Sequence, residues 1–371
     1  MVQNMLRAEV GIIGAGPAGL AAALRLRQLG VGRVVLVDRQ DFPRDKTCGS
    51  AISPKGIDVL KKLGVFDAVS AQASWINGMR LVTPKGHDFR MVGQSDAALI
   101  CNRRIFDEIL LRQAEAAGVE FRPQVQAEHL LTRDDRVVGF QGQDGSGVRA
   151  DFTLVADGAK SRFALDRGPR RALQTIMGWW DDFEHRPNEI EMIFDRMVAP
   201  LYGWLFPETA TRVNIGICYE DPGHEKNGRA LFAAFLDNHF ADRIARASQH
   251  GAWKGHPISY SLDIGRLTSP GRIVIGEAGR MTHPATGEGI YQAMRSGVAA
   301  AEAIASVVKG AKSEADAAAD YQESCRSAFK LSFRAGMVWR GMVSNGALDL
   351  TAKAAAIPFV QRRLAGTMAH M

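Results

Sequence analysis

The chain has 371 residues, 46% hydrophobic and 23% charged, a globular composition whose length is too great for one small core and suits one domain with a second inserted in it. Its four cysteines, Cys48, Cys101, Cys218 and Cys325, show neither a C-x-x-C pair nor metal-ligand spacing, which argues against a zinc site or a disulfide framework and for a reduced, cytoplasmic protein. A formal charge of +6 favours an anionic substrate or lipid surface over nucleic acid, because the basic residues look scattered and no recognition motif accompanies them, and no stretch reaches the roughly 18 uncharged apolar residues of a membrane span.

In chain order, Glu9 to Ile13 is predicted as a buried strand, beginning too early to leave room for a cleavable signal peptide. Gly14-Ala15-Gly16-Pro17-Ala18-Gly19 then opens a helix to about Leu29, and a second strand, Val34 to Val37, ends at Asp38-Arg39. In such a βαβ unit the first glycine permits the tight turn, the second lets backbone approach a pyrophosphate, the third lets helix pack on strand, and the acid binds a ribose hydroxyl. Arg44-Asp45-Lys46-Thr47-Cys48-Gly49 follows as a loop, Ser74 to Ile100 reads as strands leaving this domain, and Arg103 to Ala117 is a helix carrying Arg103, Arg104, Phe106 and Asp107. A strand near Val119 to Val125 and a hairpin at Asp134-Asp135 lead to Leu154-Val155-Ala156-Asp157-Gly158, an apolar strand ending in a turn.

From about Ala172 to Asp263 the expected pattern is alternating strands, Ile176 to Phe183, Glu189 to Phe194, Tyr202 to Pro207 and Arg212 to Tyr219, then a helix from Arg229 to Ala247. Tyr202, Trp204 and Phe206 share one face of their strand, as a cavity wall or an ordinary core strand would both have it. Trp179 and Trp180 face opposite ways, so at most one joins them, and Trp180 is the one assigned to the wall. Arg272 to Ile275 is a further strand, running into Gly276, Glu277, His283, Pro284, Gly287, Glu288, Gly289 and Ile290, where a loop and helix N-terminus offer N–H groups to developing negative charge. Ser313 to Met371 reads as helical. Its stretch from Met337 mixes Met342, Ile357, Phe359 and Leu364 with Arg340, Lys353, Arg362 and Arg363, either capping the fold or touching a bilayer.

The three glycine-rich segments resemble, in order and spacing, the FAD-binding fold of p-hydroxybenzoate-hydroxylase-like flavoproteins. Lys46-x-Cys48-Gly49, Tyr202-x-Trp204-x-Phe206-Pro207 and the run from Thr286 to Gly297 resemble the geranylgeranyl reductases within that fold, over about Val10 to Gly310. The resemblance implies an α/β protein: a Rossmann-like FAD-binding domain (1–73, 101–171, 264–312), an inserted mainly antiparallel sheet for substrate (74–100, 172–263), and a C-terminal helical segment (313–371). It implies FAD held by Gly14, Gly16, Pro17, Ala18, Gly19, Asp38, Arg39, Lys46, Cys48, Gly49, Arg103, Val125, Asp157, Gly158, Gly276, Glu277, Pro284, Gly287, Glu288, Gly289 and Ile290, with Arg103 favoured over Arg104. Tyr202, Trp204, Phe206, Pro207 and Trp180 are expected at the substrate.

Glu277 stands where most relatives carry Asp, and Arg280 where they carry Gly or His. Cys48 is either a proton donor at the flavin or a packing residue; His283 is either a donor or bonded to backbone. The implied activity is hydride transfer from reduced flavin to a carbon-carbon double bond of an apolar substrate. The alternatives are hydroxylation of an aromatic substrate, free or on a larger partner, and electron relay. A halogenase is disfavoured because its W-x-W-x-I-P signature is absent. With one G-x-G-x-x-G, reducing equivalents are expected from transient NAD(P)H or a donor protein. Oligomeric state leaves no mark on the sequence.

Overall fold

The structure is a computed structural model describing residues 5–93, 98–165, 171–261 and 265–349. Val34–Val37 and the carboxyl half of Met5–Ile13 are buried at every position, as parallel strands covered on both faces must be. They lie in an eight-stranded sheet whose path runs Thr268–Ser269, Arg272–Val274, Gly147–Val155, Met5–Ile13, Val34–Val37, Glu120–Arg122. Every pairing on that path is parallel except the first. The hairpin Ala127–Arg133 and Arg136–Gly142 pairs antiparallel with Gly147–Val155. It turns at Asp134 and Asp135, both with positive φ, the backbone a two-residue hairpin loop needs.

Register sets the site. Ile13 is level with Val37 and Val155, and Val155 with Val274, so four strands end together. The chain leaves them at Gly14, Asp38, Ala156 and Ile275, which brings segments far apart in sequence to one carboxyl edge, where open α/β sheets bind ligands. Helices Pro17–Gln28 and Ile290–Val308 cross closely there. A Cβ on Gly297 would strike the Ala18 carbonyl, and one on Gly276 would come within 2.9 Å of Ala18 Cβ.

The second sheet has seven strands in the order Ser248–Tyr260, Arg171–Asp181, Val213–Tyr219, Gly203–Pro207, Glu189–Ile193, Gly78–Val82, Asp88–Val92. Its last two strands come from the 74–100 excursion. The other short strands of that excursion, Ser74–Ile76 and Ala98–Ile100, form a three-stranded sheet with Ala51–Ile52 instead. Ser248–Tyr260 is absent from the sequence prediction because Gly251, Gly255 and Pro257 disguise it. At the sheet edge only one side needs a ladder of hydrogen bonds, so these residues are tolerated. Arg171–Asp181 begins five residues before the predicted Ile176, and the predicted Tyr202 strand begins at Gly203.

One face of this sheet packs Trp180, Leu205, Ile215 and Ile217 against Phe232, Phe235 and Phe240 of the helix Gly228–Ile244. The other face carries Leu173, Met177, Tyr202, Trp204 and Phe206. Cover on both faces explains why Gly203–Pro207 and Val213–Tyr219 are buried throughout. The 31-residue helix Glu314–Ser344 ties the two sheets together. Tyr321, Cys325, Phe329 and Phe333 pack on the first domain, and Trp339 and Val343 on the inner face of the second sheet. The predicted helical residues from 350 onward, including Lys353, Ile357, Phe359, Arg362, Arg363 and Leu364, lie outside the described residues.

Candidate active site

Gly14 takes φ +103°, and a Cβ there would strike the Ala156 carbonyl, while one on Gly19 would strike the Gly14 carbonyl. Both are therefore required by packing. Gly16 differs: the nearest atom to a Cβ there is Arg44 Nη2, 3.9 Å away, so the space before it is open. The adjoining helix starts with Pro17 and has no side-chain cap, which leaves its first-turn N–H groups, Ala18 and Gly19 among them, without intrahelical acceptors. Asp38 accepts the Ala15 N–H at 2.8 Å and the Gln40 N–H at 2.9 Å through separate oxygens, and its carbonyl receives the Val125 N–H at 2.9 Å. Arg39 is exposed just beyond it.

Arg44, given no role by the sequence, closes this end of the site. Its Nη2 lies 3.3 Å from the Ala15 carbonyl, 3.2 Å from Asp107 and 3.9 Å from Asp38, and its buried Nε has no hydrogen-bond partner among the described residues. An open glycine, an uncapped helix end and a guanidinium with a spare donor fit a dinucleotide pyrophosphate.

Around the Cys48 loop, two cations are buried. Arg103 makes two 2.7 Å bonds to Asp107. Burial alone would lower its pKa, but Asp107 and a hydrogen bond to Cys48 outweigh that and raise it. Arg104 is exposed, 3.5 Å from Asp45. Cys48 is half-buried, with the Ser50 N–H 3.3 Å from its sulfur. Lys46 hydrogen-bonds His256 of the edge strand. Burial brings the Lys46 pKa down to about 8, with Glu277 opposing the shift. Burial and the Lys46 charge bring His256 down to about 4, so His256 is a neutral acceptor. Glu277 accepts the Ser259 N–H at 3.0 Å; burial raises its pKa against that bond and Lys46. His256 was missed because its strand was missed.

Asp157 and Gly158, the latter with φ +82°, follow the central strand Gly147–Val155. Across from them Gly276 opens the last loop, in which Arg280 adopts φ +58° and Gly287 φ +64°. Gly289 precedes Ile290–Val308, a helix again without a side-chain cap. Glu288 is half-buried, burial raises its pKa, and its Oε1 has no hydrogen-bond partner among the described residues. The Pro284 carbonyl accepts a 3.2 Å bond from Arg340, which also bonds the Tyr260 hydroxyl at 3.0 Å. His283 does not stand as a proton donor. Its Nε2 lies 3.1 Å from the Ser332 carbonyl and its Nδ1 3.2 Å from the Thr286 N–H; with burial bringing its pKa down to about 4, it is a neutral ring pinned at both nitrogens.

Tyr202, Trp204 and Phe206 form a continuous row with ring centroids 6.3 and 6.0 Å apart, and Pro207 ends their strand. The Tyr202 hydroxyl donates to the Thr286 carbonyl at 2.5 Å. At the other end, a Cβ on Gly49 would lie 2.9 Å from Phe206 and 3.4 Å from Trp204 Nε1. Trp204 itself donates to Asn214 Oδ1 at 2.7 Å. Trp180 is not part of this wall: it points to the opposite face, against Phe232 at 6.3 Å. Trp179 takes that place, its Nε1 donating at 3.0 Å to Glu208, which also receives two 3.1 Å bonds from Asn102.

The FAD binding domain family model matches residues 7–186. The digeranylgeranylglycerophospholipid reductase 2 of Methanopyrus kandleri is 27% identical over 367 residues, 93% of this chain and 90% of that protein. The menaquinone reductase of Mycobacterium tuberculosis is 29% identical over 324 residues, 80% of this chain and 76% of that protein. Among solved structures, a geranylgeranyl bacteriochlorophyll reductase-like protein of Thermoplasma acidophilum superposes with a TM-score of 0.82 at 20% identity, over 92% of this chain and 88% of that one. A flavin-dependent brominase does so with 0.82 at 19%, over 98% and 93%. The fold and site define an FAD-dependent oxidoreductase. Within that class the chain is similar, at 26–29% identity, to reductases of digeranylgeranylglycerophospholipid and of menaquinone, and it shares the fold of a geranylgeranyl bacteriochlorophyll reductase-like protein.

Proposed function

We propose that this protein reduces carbon-carbon double bonds of an apolar substrate laid along the Tyr202–Trp204–Phe206 row. The observation that carries this reading is the attachment of that row to both cofactor loops, at Gly49 beside Cys48 and at Thr286. A wall of aromatic rings with few polar groups suits an apolar ligand. The names of the two relatives, reductases of digeranylgeranylglycerophospholipid and of menaquinone, support it.

FAD, when bound, supplies the hydride. Gly16 and the first turn of Pro17–Gln28 would hold its pyrophosphate, Asp38 a ribose hydroxyl, and Gly287 to Ile290 the ring. The substrate's second carbon then needs a proton, and we assign that proton to Cys48, whose loop abuts the aromatic row at Gly49. The thiolate left behind lies against Arg103, a cation already held in position by Asp107. Lys46, two residues back and titrating near 8, returns the proton, with neutral His256 and Glu277 steadying its ammonium. Electrons come from NAD(P)H bound transiently or from a donor protein.

The test is anaerobic: dithionite-reduced protein is mixed with an isoprenoid lipid, and flavin absorbance and product mass are followed. Substrate-dependent reoxidation with a gain of two hydrogens is the expected result. Reoxidation only on admitting oxygen, with oxygen found in the product, would replace reduction by hydroxylation.

A further inference from the structure

The chain's net charge is not scattered. Residues 324–371 contain seven basic residues and a single acid, Asp349, a net +6 that equals the charge of the whole chain. Residues 1–323 therefore balance to zero. The described part of this basic region includes the second half of Glu314–Ser344, and it has two faces. Phe329, Phe333, Gly336 and Arg340 turn inward. On the opposite side Ser327, Leu331, Arg334, Val338 and Gly341, spaced alternately by four and three, are all exposed, which at 3.6 residues per turn makes one stripe.

Leu331 is 80% and Val338 66% exposed, two of the three most exposed large apolar side chains among the described residues. They stand seven residues apart on that stripe, with Met342 half-buried beside them. Lys330 and Arg334 flank them, and among the described residues neither has an ion-pair partner. A lone exposed leucine means nothing. Two on one helical stripe, between uncompensated cations, in the region that holds all the excess charge, make an amphipathic surface.

We propose that this outer face is a docking surface for an anionic lipid bilayer. Charge complementarity alone would also suit a nucleic acid or an acidic protein, but a nucleic acid makes no use of apolar side chains set among the cations and a protein interface buries a larger apolar core than two side chains supply, whereas a bilayer takes apolar residues below its headgroups and cations at them. Among the described residues no helix is long and apolar enough to cross a membrane, so the contact is peripheral. The same turn connects to the site. Trp339, next to Val338, touches Phe194 at 6.0 Å, and Phe194 touches Tyr202 at 5.7 Å, so docking brings the lipid surface to the end of the aromatic row. The inference concerns binding and does not depend on which reaction the site performs.

The test is co-sedimentation of the full, FAD-loaded chain with vesicles of phosphatidylcholine alone and of phosphatidylcholine mixed equally with phosphatidylglycerol. Binding to the mixed vesicles only, weakened by salt, is expected. Leu331→Asn/Val338→Asn and Lys330→Glu/Arg334→Glu should each lower the partition coefficient by about tenfold or more, with flavin content and melting temperature unchanged because these side chains are exposed. The proposal is overturned by equal binding to both vesicle types, by no binding, by binding that both double variants retain, or by displacement of the protein from vesicles by duplex DNA at equal charge.

Discussion

Gly49→Ala tests the contact on which the site depends. Gly49 is not among the glycines with positive φ, so alanine strains no backbone there and the effect is purely steric. The new methyl would sit 2.9 and 3.0 Å from two carbons of the Phe206 ring and 3.4 Å from Trp204 Nε1, about 0.6 to 1 Å inside a normal carbon contact. The ring cannot swing away freely, since it is 7% exposed and packs on Trp204. The loop carrying Cys48 must therefore shift, at a cost of about 1–3 kcal/mol for overpacking. Urea unfolding should show that loss, and alkylation of Cys48 should change in rate because its loop has been pushed off the wall. Phe206→Leu in the same chain removes the obstructing ring edge, so the double variant should recover at least about 0.5 kcal/mol relative to additivity. Wild-type stability and alkylation in Gly49→Ala, or strict additivity in the pair, would refute the placement of the loop against the aromatic row.

Gly16→Val should leave the apoprotein's melting temperature nearly unchanged, because the nearest atom to the new Cβ beyond its chain neighbours is Arg44 Nη2 at 3.9 Å among the described residues, yet abolish flavin retention on gel filtration; Gly14→Val should lower stability as well. Asp107→Asn leaves Arg103 and Arg44 without their shared buried carboxylate and should cost about 3–5 kcal/mol in urea unfolding, against under about 0.5 kcal/mol for Gln113→Ala, exposed on the same helix. His256 and His283 resist protonation until about pH 4 in the fold but take it up near 6.5 when unfolded. The unfolded state thus binds more protons between those values, and stability falls as pH drops from 6.5 toward 4. At about pH 5 the loss should be about 2 kcal/mol per histidine, and His283→Asn should remove one share of the slope.

The glycines of the first loop were legible in the sequence because each answers to a demand of the strand-turn-helix backbone. A turn leaving a strand, a close helix contact and an open phosphate cradle leave a fixed spacing over a few residues, as Gly14, Gly16 and Gly19 do. The alternation that put Tyr202, Trp204 and Phe206 on one face was also local, since side chains two apart on a strand point the same way. Which face met the cofactor loops was not local. Trp180 and Trp179 satisfy the same pattern in opposite senses, and only the helix Gly228–Ile244, packed over one side of the sheet, assigned Trp180 to the core and Trp179 to the wall. His256 was invisible because an edge strand needs half the hydrogen bonds of an inner one and so tolerates glycine and proline. His283 could be assigned only once Ser332, 49 residues away, was seen to hold its second nitrogen. The sequence by itself determined the cofactor and the strand-loop-helix units that hold it, because those are contacts within a segment. The tertiary structure alone decided which side chains surround Cys48, because Arg103, Lys46, His256 and Glu277 meet only where strands distant in sequence end at one level.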